Sequence, residues 1–151
     1  MQITREADYA VRAVVYLAEH TDVWPIATAD IGRQQHIPLT FLAKIVPQLS
    51  AAGIVHTLRG AHGGVSLGRL PEDISLLEVV ETIDGPMLLN ECVSDPNQCV
   101  LGENCAVHEV WCQAQAELVD RLARTTMAQL KRPPERSLVV LADDEQAVAP
   151  I

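Results

Sequence analysis

The chain has 151 residues, 48% of them hydrophobic and only 3% aromatic, so it can bury a core and that core must be aliphatic. No apolar run reaches the ~18 residues of a membrane span, and the opening Met1-Gln2-Ile3-Thr4-Arg5-Glu6 lacks a secretion-signal pattern; a cytoplasmic protein with no membrane contact is expected. The formal net charge of -9 is uneven: residues 1–70 hold six Lys/Arg and five Asp/Glu, which leaves -10 for residues 71–151. That balance excludes the back half, but not the front half, as a surface for phosphate.

Thr4 is placed to cap a first helix running to about His20, with Tyr9, Ala10, Ala13, Val14 and Leu17 at helical spacing. Trp24-Pro25 falls in a turn. Thr28 is expected to cap a short second helix that ends near His36, with Asp30 in its first turn. Pro38 opens a third helix whose buried stripe is Phe41, Leu42, Ile45, Val46 and Leu49 and whose end is Gly53. Pro47 is awkward inside it. Two short strands, Ile54–Leu58 and Val65–Leu67, flank the Gly-rich turn Arg59-Gly60-Ala61-His62-Gly63-Gly64. Ser75 and Glu78 form a capping box for a fourth helix stopped by Asp84-Gly85-Pro86. Residues 90–104 have no period and read as a loop. A helical pattern then runs from Cys105 to about Arg124, and Thr126 to Gln129 opens a last short helix before Pro133-Pro134.

Helix, helix, tight turn, helix and hairpin is the order of a winged helix-turn-helix, in which the second helix of the pair enters the major groove. The third helix carries Thr40, Lys44 and Gln48 opposite its apolar stripe, and Lys44 suits phosphate. The hairpin turn offers Arg59, Gly60, His62 and Gly63; glycine allows close backbone approach, and arginine suits a narrow minor groove. These are the candidate DNA-binding residues. The expected fold is mainly α with a small β-hairpin wing, a winged helix-turn-helix joined to a long dimerisation helix.

All four cysteines, Cys92, Cys99, Cys105 and Cys112, fall within 21 residues, spaced C-x6-C-x5-C-x6-C. Crowded thiols in a chain without a signal read as a metal or redox site. Zinc knuckles use tighter pairs; the wide spacing points instead to a larger object such as an iron–sulfur cluster. If residues 105–112 are helical, Cys105, His108 and Cys112 share one side within about 60°. On the same helix Trp111, Ala114, Leu118 and Leu122 form an apolar side, read as a two-fold dimer interface, with packing inside one subunit as the alternative.

The opening Met1–Thr4, the Asp8-Tyr9-Ala10 that follows, and the wing Leu58-Arg59-Gly60-Ala61-His62-Gly63-Gly64-Val65-Ser66-Leu67-Gly68 resemble the Rrf-two family of bacterial transcription regulators, over residues 1 to about 132. The resemblance is to its iron–sulfur-cluster-binding type, the IscR-, NsrR- and RirA-like members. It implies a dimeric winged-helix regulator, usually a repressor, acting on a palindromic double-stranded DNA operator. It also implies that Cys92, Cys99 and Cys105 hold a [4Fe-4S] or [2Fe-2S] cluster, although the first gap here is one residue longer than the family's usual spacing. The fourth-ligand candidates are His108, at the place used for two-iron clusters, and Asp8, at the place where some four-iron members offer a carboxylate from the partner subunit. Cys112 is an extra thiol without a counterpart and a weaker candidate.

The expected organisation is a DNA-binding domain over 1–70, a connecting helix over 71–90 and a cluster-binding loop over 91–105. The dimerisation helix and short last helix follow over 106–132, and an acidic, flexible tail over 133–151. The function expected is a DNA-binding regulator whose operator affinity follows cluster state, sensing nitric oxide, iron or redox status. The alternatives are a cluster-free thiol/disulfide or zinc-dependent regulator of the same fold and, more remotely, an iron–sulfur electron carrier. No nucleophile–base pair or phosphate loop suggests an enzyme.

Overall fold

The computed structural model describes residues 2–132, so the tail expected at 133–151 lies outside the described residues. Helices α1 (Arg5–Glu19), α2 (Thr28–Gln35) and α3 (Leu39–Ala51) precede an antiparallel hairpin of β1 (Val55–Leu58) and β2 (Gly64–Leu67). Next come α4 (Leu76–Asp84), α5 (Glu91–Ser94), α6 (His108–Arg124) and α7 (Met127–Leu130), with 3-10 turns at Pro71–Asp73, Pro96–Gln98 and Gly102–Asn104. The fold is mainly helical with a two-stranded wing, as the sequence predicts. None of the described helices is long and apolar enough to cross a membrane.

Alanines and branched aliphatics build the centre. Ala10, Ala13, Val14 and Leu17 of α1 meet Leu42, Ile45 and Leu49 of α3, and the cluster is closed by Ile54, Val65, Ile74, Val79 and Met127. The small residues of α1 let α3 approach closely, and each fully buried Leu or Ile contributes about 1.5–3 kcal/mol. Tyr9 and Phe41 stack edge to face at 5.1 Å across the same contact. A second buried group, Ala7, Val80 and Met87, receives Leu118 and Leu122 of α6.

Thr4 caps α1, its hydroxyl oxygen accepting the Ala7 N–H at 3.2 Å. Its own N–H and O–H donate to the Asp84 carboxylate at 2.9 and 2.5 Å, which pins the start of α1 to the end of α4. Arg12 lies 5.3 Å from the Tyr9 ring centroid and donates to the Gln35 carbonyl, so its cation stands at the negative end of α2. Between α2 and α3, His36 is left-handed at φ 53 and the Ile37 N–H returns to the Gly32 carbonyl at 2.9 Å. A Cβ at Gly32 would stand 2.9 Å from the Ile37 carbonyl oxygen, so the turn needs a glycine there.

Three sequence readings are corrected. Thr28 does not cap α2 but is its first residue. Ala27 takes the cap position without a side-chain bond, since two hydrogen bonds between Ile26 and Val65, at 2.9 and 2.8 Å, hold the preceding backbone extended. The capping box at α4 is half formed: Ser75 accepts the Glu78 N–H at 3.1 Å, but Glu78 pairs with Arg69. Residues 90–104 are not a plain loop. Asn90 caps α5 by accepting the Glu91 N–H at 2.9 Å, and Asp95 accepts the Asn97 N–H at 3.0 Å, so each starts a short helical turn.

Candidate nucleic-acid interface and thiol site

The packing of α3 decides which of its residues reach outward. Leu42, Ile45 and Leu49 face the core, which leaves Thr40, Lys44 and Gln48 exposed on the opposite side together with Ala43 and Pro47. The Gln48 amide donates to the Lys44 carbonyl at 3.2 Å. No acidic residue lies in the first turn of α3 to repel phosphate. Leu39, at its start, is 56% exposed, an apolar group where a helix in the major groove can meet a thymine methyl.

The hairpin register pairs Val55 with Leu67 and Leu58 with Gly64, so Arg59 to Gly63 form the tip. Arg59, Gly60, Ala61 and His62 are all exposed. Gly60 has φ +114, a conformation other residues rarely adopt, and the Gly63 N–H closes the turn on the Gly60 carbonyl at 3.0 Å. A Cβ at Gly63 would collide with the Leu58 carbonyl oxygen and stand 2.9 Å from that of Gly60.

Three of the four thiols lie on the segment between α4 and α6. Cys92 is in α5, Cys99 follows the second 3-10 turn, Cys105 follows the third, and Cys112 is in α6; all four are half-buried and free. Here the helical reading of residues 105–112 is corrected. Cys105 is extended at φ -75 and ψ 124, and α6 starts at His108, because Gly102 and Cys105 accept the N–H groups of Cys105 and His108 in separate turns, at 3.3 and 3.0 Å. The shared face of Cys105, His108 and Cys112 therefore does not exist as one helical face. What the helix does bring together is His108 and Cys112, one turn apart, with Nε2 and Sγ 3.6 Å from each other. His108 Nδ1 is buried and has no partner among the described residues. Asp8 stands on the exposed side of α1, 3.5 Å from Arg12. Among the described residues no three His, Cys, Asp or Glu side chains converge into a metal-sized group.

Of the predicted dimerisation residues, Trp111 is 41% exposed, and it lies beside the exposed Val107 and Val110. Leu118 and Leu122 instead pack within the subunit, against the group around Met87. Sequence reasoning missed Gln115. Its amide oxygen accepts the Leu89 N–H at 2.8 Å and its amide nitrogen donates to the Met87 carbonyl, which ties α6 to the strand of chain that leads into the thiols. Glu81 supports the same stretch from α4, accepting the Met87 N–H at 2.9 Å. A polar residue next to the apolar positions 111, 114, 118 and 122 was the available signal.

Residues 3–133 match the family model described as "Rrf2: Iron-dependent Transcriptional regulator". The chain belongs to the Rrf2 family. It is 30% identical over 147 residues to the HTH-type transcriptional regulator IscR of Erwinia tasmaniensis, covering 97% of this chain and 89% of the relative. Among solved structures, CymR, the global cysteine regulator of B. subtilis, is 25% identical with a TM-score of 0.74, over 86% of this chain and 95% of that one. The structure of T. potens IscR shares the fold at 23% identity, with a TM-score of 0.68 over 86% and 85% of the two chains. This Rrf2 protein is thus a DNA-binding transcription regulator and not an enzyme, and its α2, α3 and hairpin are the winged helix-turn-helix of that family.

Proposed function

We propose that this Rrf2 protein is a homodimeric regulator, a repressor in the usual case, whose affinity for a palindromic operator is set by an iron–sulfur cluster on Cys92, Cys99 and Cys105. The observation that carries the reading is three free, half-buried thiols on one short segment, each held by its own helical turn, in a family described as iron-dependent. The donor set fits the group. Thiolates are soft ligands suited to iron–sulfur clusters, and His108 Nδ1, three residues after Cys105, is buried with no partner among the described residues. Cys105 precedes α6, whose positive end favours the negative charge of a thiolate-bound cluster. When bound, the cluster supplies chemistry that responds to nitric oxide, oxygen or iron loss. The chain's own part is to hold it against α6, which packs on α5 of the thiol segment and on α4.

The fourth ligand distinguishes the cluster types. His108 on the same subunit suits a two-iron cluster. Asp8 of a partner, on the first helix of the reading head, would tie a four-iron cluster to the spacing of the two heads; Cys112 is the third candidate. Residues 1–70 supply the reading surface, 91–105 the cluster segment and 106–132 the dimer contact, to which the exposed Val107, Val110 and Trp111 lend an apolar strip. Anaerobic native mass spectrometry of the whole chain is the test. Four irons and four sulfides per subunit favour the Asp8 arrangement as nitric-oxide or iron sensor. Two and two favour His108 and a role in cluster homeostasis, and zinc or no metal sinks the cluster reading. The four free thiols and the likeness to the global cysteine regulator CymR favour, in that last event, a thiol-based regulator.

On DNA, Thr40, Lys44 and Gln48 of α3 lie in the major groove, and Arg59, Gly60, His62 and Gly63 bring the wing to the backbone or minor groove. Gly63→Ala is expected to open the wing turn and weaken DNA binding by about 1–3 kcal/mol. Fluorescence anisotropy at fixed salt reads this, with the helical circular dichroism unchanged. An unaltered affinity would take the wing out of the interface.

A further inference from the structure

The α1–α2 turn and the residues just after β2 expose apolar groups that nothing in the described chain covers. Val23 is 50% exposed, Trp24 64% and Leu70 66%. They surround a groove of about 160 Å3 floored by Leu17 and Leu67 and rimmed by His20 and Arg69. No carboxylate lines it. It is separate from the thiol segment and from the outward face of α3. An exposed tryptophan against a groove is the kind of anchor that carries binding energy in interfaces.

The position of the last described residue says what occupies it. The Arg132 N–H donates to Glu19 Oε1 at 2.9 Å, and Glu19 directly precedes His20 on the groove rim. The chain thus leaves the described fold at the edge of this groove. Six residues further on comes the apolar run Leu138-Val139-Val140-Leu141. Extended chain covers up to ~3.3 Å per residue, so about 20 Å of reach are available. An apolar run thus stands within reach of an apolar groove.

We infer that the groove between Trp24 and Leu70 is the docking site of residues 138–141 of the same chain. Docking covers the exposed tryptophan.

The test is methyl NMR on the full chain, labelled at Leu and Val methyls. Methyls of residues 138–141 are expected to show contacts to the Trp24 indole and upfield ring-current shifts. Both are lost in Trp24→Ala, an exposed position whose truncation leaves the core intact. In the double variant Leu138→Ser with Leu141→Ser, which changes no charge, the Trp24 indole N–H resonance moves reciprocally. Methyls of 138–141 at random-coil shifts, with no contact to Trp24, overturn the proposal and leave the groove to a foreign partner. Contacts seen only between differently labelled copies overturn it in favour of docking on a second molecule.

Discussion

Cys105→Ser is expected to yield a folded protein that holds almost no iron or sulfide. Cys105 is fixed on both sides: its N–H donates to Gly102 at 3.3 Å and its carbonyl accepts the His108 N–H at 3.0 Å. Serine keeps both backbone bonds and nearly the same volume, so the stability change should stay within about 0.5 kcal/mol, as for surface substitutions generally. The hydroxyl, however, is a hard and poor ligand for a cluster that selects thiolates. The readouts are iron and sulfide per subunit and the visible absorption of anaerobically isolated protein, with DNA affinity before and after exposure to nitric oxide. Both affinities should coincide in the variant and differ in the parent. A full iron complement in Cys105→Ser would remove this residue from the ligand set. Under the same conditions, the variant among Asp8→Ala, His108→Ala and Cys112→Ser that changes the spectrum identifies the fourth ligand.

Leu42→Ala is expected to be the most damaging single change in the reading head. Leu42 is 0% exposed and lies in the core that joins α3 to α1. Truncating a buried leucine removes its transfer free energy and leaves a cavity, about 2–5 kcal/mol together. Against a total stability of about 5–15 kcal/mol this is a large share, and Tm should fall by about 5–20 °C in calorimetry. Lys44→Ala, two residues on and facing outward, should leave Tm unchanged. A loss below about 1 kcal/mol in Leu42→Ala would mean that α3 is anchored elsewhere.

The front of the molecule was legible because its signals are local. The spacing of Leu42, Ile45 and Leu49, the glycines of the wing and the cap at Thr4 each act within a few residues. The thiol segment was less so. Its turns are started by Asn90 and Asp95 through bonds to their neighbours' N–H groups, in a stretch without hydrophobic period. Reading the α6 helix back to Cys105 failed for a related reason: composition does not show where one turn's hydrogen bonds end and the next begin. Partners distant in sequence were invisible altogether. Glu78 answers to Arg69 rather than to its own helix cap, and Gln115 reaches back to Met87 and Leu89. The soft donor set could be read from the cysteines alone, but not its arrangement.

Met127 has a bearing on how the protein comes into being. Its side chain is fully buried with α1 and α3, and hydrogen bonds from Leu76 to Thr125 at 2.8 Å and from Met127 to Ile74 at 2.9 Å seat it there. A chain growing from the ribosome therefore cannot finish the interior of its DNA-reading head with the first 70 residues. That interior waits for residue 127, by which time all four cysteines have already been synthesised. A product that stops short of α7 therefore lacks part of the interior of its reading head.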